Sequence, residues 1–195
     1  MTINQASLPN FCEPSSGAVR KIVAIETKDI VGFREPHYLP PSPLLPPYSM
    51  AIGDIVLKDG AVVYEWLNTS NQLAFHAEIE ENSPQGPSFL QNIGFSFSHV
   101  ANQYVHWISQ LRDKDFIIIY QTTTKKVRVV GTLEQPMKFT TQKSSGSRRV
   151  EKQQVVFTWQ GATLKPAPFL PVYDLALLFP TASINTAFSL DTFTI

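Results

Sequence analysis

Residues 116–121, Phe-Ile-Ile-Ile-Tyr-Gln, form a nearly continuous apolar run of strand-forming side chains. Successive side chains of a strand point to opposite faces, so a run that is apolar at every position needs cover on both faces. The run therefore reads as a strand buried on both faces. A threonine-rich turn follows, and then residues 126–131, where Val127 and Val129 alternate with Lys126 and Arg128. The two runs read as a hairpin, and the Gly131-Thr132 step leads toward a third strand at 136–141. Nothing in this stretch carries catalytic chemistry.

Other segments repeat the pattern. Residues 19–25 are β-branched and strand-like, and 29–33 extend or follow that strand. Lys58-Asp59-Gly60 lies between the apolar runs 54–57 and 61–67, which is a hairpin signal. In 72–79, Leu73, Phe75, Ala77 and Ile79 share one face, which predicts a half-buried strand with that face inward. Residues 80–87 read as a turn-rich loop, 93–98 as another alternating strand, and 154–159 as a further one. Ser98 caps the one helix expected, over about 98–112, with Val100, Tyr104, Ile108 and Leu111 on its apolar stripe. The expected fold is thus mainly β, a β-sandwich or barrel with one flanking helix and extended N- and C-terminal arms.

Prolines set the organisation. Six of them, at 36, 40, 41, 43, 46 and 47, make 34–50 a stiff excursion that packs on a surface, since proline lacks a backbone donor. Residues 1–16 read as an N-terminal arm, 17–170 as the β domain, and 171–195 as a C-terminal extension too apolar to stand in solvent. The loop 142–152 carries Lys143, Arg148, Arg149 and Lys152 without apolar periodicity and reads as a mobile hairpin loop. Its charge suits a phosphate backbone or, better given Glu151 and the lack of aromatics, an acidic patch on another subunit.

Composition narrows function. Charged residues make up 16% of the chain, against roughly 25% in a typical soluble domain. A thin charge layer suits a surface covered by partners. The formal net charge is zero, so the whole chain has no steering toward nucleic acid or acidic membrane. The single cysteine, Cys12, rules out an internal disulfide and reads as an idle thiol. The start of the chain lacks a signal-peptide pattern, and no apolar run is long enough to span a membrane, so a soluble protein made in a cytoplasm is expected. His99 and His106 are seven apart, not the four a zinc-protease helix needs. There is no phosphate-binding glycine motif, and Ser144–Ser147 reads as an anion nest or, more simply, a hairpin tip. No nucleophile has a base beside it in a known pattern. Neither enzyme activity nor a metal or cofactor is expected.

The order of these features carries a resemblance. "GAVRKIVAIETKDI", "GDIVLKDGAVVYEW", "LAFHAEIEENSPQG", one helix, "DFIIIYQTTTKKVRVVGTLEQPMKF", "SSGSRRVEKQQVVFTWQG" and a closing "APFL" succeed one another over roughly residues 10–170. This resembles structural proteins of tailed bacteriophages and prophages of the kind that infect Bacteroidetes, and in particular the tail-tube class. The resemblance implies a β-sandwich assembled as stacked homo-oligomeric rings, six subunits each, whose sheet edges pair between copies to wall a channel. DNA passes as cargo, other tail proteins are partners, and no membrane is involved. The protein would reside in the virion after assembly in the host cytoplasm. Phe116, Ile118, Tyr120, Val127, Val129, Lys143, Arg148 and Arg149 are then the inter-subunit candidates. Two alternatives remain: a neck or terminator ring of the same tail, and a carbohydrate-binding β-sandwich using Trp66, Trp107 or Trp159 as stacking platforms.

Overall fold

Runs of β-branched and aromatic residues, broken by Gly, Pro and Asp, become fourteen strands in the computed structural model, which describes residues 19–38, 48–67, 74–83, 86–97, 108–144 and 154–189. In chain order they are β1 (Val19–Glu26), β2 (Ile30–Phe33), β3 (His37–Tyr38), β4 (Tyr48–Ser49), β5 (Ile55–Leu57), β6 (Val62–Leu67), β7 (Ala74–Ser83) and β8 (Gly86–Phe97). There follow β9 (Asp115–Thr122), β10 (Val127–Val130), β11 (Met137–Ser144), β12 (Gln154–Thr163), β13 (Phe169–Leu170) and β14 (Ser183–Ser189). The fold is mainly β, as the sequence predicts.

Twelve strands share one hydrogen-bonded network that divides at β9. One limb runs β14–β6–β1–β9–β10–β13–β4–β3 and the other β11–β12–β8–β7. On one edge β9 pairs with β1. On the other it pairs with β10 over residues 118–121, and with β11 only at Phe116↔Met137 and Asp115↔Lys138. Pairing is antiparallel except for β14 on β6 and β13 on β4. β2 and β5 make a separate two-stranded ribbon.

Two apolar layers result, one on each face of β9. Phe116, Ile118 and Tyr120 point between the limbs, into a core with Ile22, Trp66, Phe95, Phe139, Phe157 and Trp159. Ile117 and Ile119 point the other way, into a layer with Val23, Ile25, Val63, Val127 and Val129. That second layer is covered by Ile30, Ile55 and Leu57 of the ribbon, by Met50, and by Leu170, Leu175, Leu178 and Phe179. The two-faced burial read from 116–121 is what the chain forms. Fully burying one such side chain stabilises by about 1.5–3 kcal/mol, so this strand anchors both layers at once.

The tail supplies that cover. Asp174 caps a helical turn, Leu175–Leu178, its carboxylate accepting from Ala176 N at 3.0 Å and Leu177 N at 3.3 Å. β14 then adds a parallel edge to β6. Residues 108–111 are helical, Leu111 is buried and Ile108 packs on the core between the limbs. Asp113, at φ 59°, ends that turn. The rest of the expected helix, 98–107, lies outside the described residues, as do the arm 1–16 and the middle of the proline-rich excursion, 39–47. The excursion's flanks pair with each other as β3 and β4.

Three local expectations are corrected. The turn at Lys58-Asp59-Gly60 forms, with Gly60 at φ 73° and Ala61 N donating to Lys58 O at 3.1 Å, but it joins no hairpin. β5 pairs with β2 and β6 with β1 and β14, because residues 30–33 and 183–189 offer edges that a local hairpin would have competed for. Residues 80–87 are not a long loop: β7 and β8 stay paired to Ser83↔Gly86. The inward face assigned to β7 is also reversed at Ile79, which is 54% exposed and sits opposite Leu90, 39% exposed.

Trp159 is the hub of the core between the limbs, with ring centroids 5.0 Å from Trp66, 5.4 Å from Phe139 and 5.8 Å from Phe95. Trp159→Ala is expected to cost about 3–5 kcal/mol, by lost transfer energy and the cavity left behind. Urea unfolding followed by circular dichroism measures it.

Candidate functional site

The sheet divides where two neighbouring residues reach opposite ways. Lys114 Nζ lies 2.5 Å from Glu26 at the end of β1, and Asp115 pairs at 3.5 Å with Lys138 of β11. Lys28 adds a second ammonium 2.5 Å from Glu26, and the Tyr64 hydroxyl lies 3.5 Å away. Burial pushes the Glu26 carboxyl up, but the hydrogen bonds and charges of Lys114 and Lys28 together outweigh it and hold the group below the usual carboxylate range. Burial, with the charge of Glu26, raises the Tyr64 hydroxyl. The corner is therefore pinned to both limbs by charge.

Beyond this corner β11 leaves β9, and the limb β11–β12–β8–β7 projects as a four-stranded antiparallel sheet of long strands. Its two margins are β7 and, past Lys138, β11. Among the described residues neither has a strand partner on its outer side. The helical turn 108–111 stands beside the first part of the β11 margin, across a cleft bounded by Ile108, Arg112 and Phe139–Thr141. Since each neighbour in the sheet is antiparallel to the next, β7 and β11 run in opposite directions.

One face of this sheet carries the aromatic core. The other is built from cross-strand rows: Thr140–Thr158–Gly94, Gln142–Val156–Ser96 and Lys138–Gln160–Asn92. Ala162, Leu90 and Ile79 make a fourth. Among the described side chains of this face Lys138 is the one charge, and it is paired with Asp115. At Gly94 the strands approach so closely that a Cβ would stand 2.2 Å from Phe157 O. Glycine in a strand interior marks such an approach. The signal for this face lay in the sequence as Thr, Gln, Ser and Asn alternating with aromatics in 92–96 and 156–160, a pattern not read as a surface of its own.

The structure separates the expected inter-subunit residues. Phe116, Ile118, Tyr120, Val127 and Val129 are all buried within this one chain, and β9 is paired on both edges. They are core residues and not contacts between copies, because the layers of the chain's own fold already enclose them. The hairpin 116–131 forms as expected, with Thr122 N donating to Lys126 O at 2.9 Å, but it is the centre of the subunit and not its boundary. Lys143 lies on the β11 margin, where its backbone pairs with Val155. Arg148 and Arg149 lie outside the described residues. Trp66 and Trp159 are buried, which removes them as stacking platforms for a sugar, and Trp107 lies outside the described residues. Among the described residues no group of three His, Cys, Asp or Glu is arranged to hold a metal ion.

No protein-family model matches this chain, and neither a curated protein nor a solved structure matches it.

Glu26→Gln keeps the shape at the corner and removes its anion. A carboxylate held below its unfolded value contributes stability that is present above the unfolded pKa and lost as pH falls through the folded one. The variant is therefore expected to be less stable by about 1–2 kcal/mol at pH 7, discounted for partly solvated lysines, and to converge on the parent as pH falls below the ordinary glutamate range. Urea midpoints measured across that pH range check both the size and the sign.

Proposed function

We propose that this chain is a non-enzymatic structural subunit of a phage tail tube, closing rings through the margins of its four-stranded sheet. The observation that carries the reading is the pair of unpartnered, oppositely directed margins, β7 and β11. In a ring with cyclic symmetry every sheet has the same orientation, so β7 of one copy meets β11 of the next. An even number of alternating strands makes that junction antiparallel, like every pairing inside the sheet. Exposed margins are a hazard for a solitary protein, and closure removes them.

The polar face supports the same reading. Turned inward, it would present the exposed side chains of Thr140, Gln142 and Gln160 and almost no lysine or arginine, so phosphate would slide past without being held; Ser96 and Thr158 of the same face are buried within the chain. With six copies, ~24 strands at ~4.8 Å spacing and ~40° tilt close a wall about 48 Å across, room for a DNA duplex. The order of elements that resembles tail-tube proteins points the same way. The inter-subunit role moves from the hairpin 116–131 to β7 and the far half of β11.

The test is assembly of the purified chain, by light scattering and negative-stain microscopy. Rings or tubes are expected, tubes separating a tube protein from a single-ring neck protein. Ile79→Lys, on the β7 margin, is expected to give a folded monomer, because a charge on a margin opposes strand addition. Gln160→Lys, on the same face but on the inner strand β12, should still assemble. A parent that stays monomeric at high concentration sinks the reading.

A further inference from the structure

The two margins of the four-stranded sheet differ in charge. β7 carries Glu78, Glu80 and Glu81, and the chain has no lysine or arginine between Lys58 and Arg112. β11 carries Lys138 and Lys143 and no carboxylate. A cleft of about 420 Å3 runs beside residues 139–141 of β11, and Arg112 lines it. Asp113 lies 3.9 Å from the Arg112 guanidinium, but both side chains are exposed and the pair holds weakly. One margin is therefore acidic, and the other is basic with a third cation beside it.

Charge separates the ways in which two copies can meet. Pairing β7 with β7, or β11 with β11, about a two-fold axis is also antiparallel, but it sets like charges across the seam, which is destabilising. β7 on β11 sets opposite charges there, and such a head-to-tail contact repeats from copy to copy.

Geometry then fixes the register. The first two residues of β11 pair with β9, which leaves 139–144 open to a β7 of ten residues. Residues that stand opposite one another share a face, and Ile79 and Thr140 lie on the same outer face. Two registers keep both faces continuous with all of 139–144 paired: Ile79 opposite Thr140, or Ile79 opposite Gln142. In the first, Glu81 and the turn beyond it run onto Asp115, which already holds that edge at Lys138. The second ends the seam at Asn82. It sets Glu78 opposite Lys143 and Glu80 opposite Thr141, on the side where Phe139 and Ile108 share one core and Arg112 lines the cleft.

We propose that β7 of one copy seats beside β11 of the next with Ile79 opposite Gln142, Glu78 opposite Lys143 and Glu80 meeting Arg112. This inference rests on the ring reading above, and adds to it the register and the charges that choose a head-to-tail contact over a two-fold one.

Mixing variants tests it. Glu78→Lys with Glu80→Lys makes β7 basic like β11, and Arg112→Glu with Lys143→Glu makes the β11 side acidic like β7. Each is expected to stay monomeric in light scattering, and an equal mixture to assemble, since each copy then offers the margin that the other lacks. With Cys12→Ser in place, Ile79→Cys with Gln142→Cys is expected to give linked chains on air oxidation, and Ile79→Cys with Thr140→Cys to stay single. Should a reversal unfold the chain by circular dichroism, Glu80→Gln and Arg112→Gln take its place, and each is expected to raise the concentration for half assembly about threefold. A reversed variant that assembles alone, a folded pair whose mixture stays monomeric, neutral variants without effect, or linkage at 140 in place of 142 overturns the proposal, while an assembled parent keeps the ring reading. A monomeric parent sinks both.

Discussion

The structure depends on β9 being enclosed in every direction. Its alternate side chains feed two separate apolar layers, and its two edges are both hydrogen-bonded, one to β1 and the other to β10 and β11. A strand without a polar face has no stable place at a surface, so the rest of the chain is arranged to cover it. The ribbon β2–β5 and the segment 170–179 exist, in packing terms, to close the second layer. The aromatic limb β11–β12–β8–β7 closes the first.

This enclosure leads to the division of the network. β10 and β11 both lie on the same edge of β9, and two strands cannot share one edge over the same residues. β11 therefore takes only the first two positions, where Asp115 meets Lys138, and then departs. The departure leaves the outer edge of the far half of β11 without a strand partner among the described residues and frees a four-stranded sheet with two open margins. The proposed assembly surface is thus a by-product of how the core is satisfied. The same logic accounts for the buried tryptophans. Trp66 and Trp159 meet across the core, where an aromatic cluster contributes more than its burial alone, and they have no surface left for a ligand.

Much of the fold was legible in residue order. The two-faced run 116–121, the hairpin after it, the strand at 19–25 and the mainly β class follow from side-chain alternation and turn residues, which act over a few positions. The nonlocal choices were not legible. Asp59-Gly60 makes a turn whichever strands flank it, and only the availability of β2 and β14 sends those strands to different partners. The alternation in 72–79 shows that β7 has two unlike faces, but the register Ile79↔Leu90 decides which one turns outward. Phe116 to Val129 announced themselves as apolar strand residues, and an apolar strand serves equally as a core or as an interface. Sequence by itself determined that these residues must be covered; tertiary structure decided that the same chain covers them, because burial energy depends on area removed from water and not on whose atoms remove it.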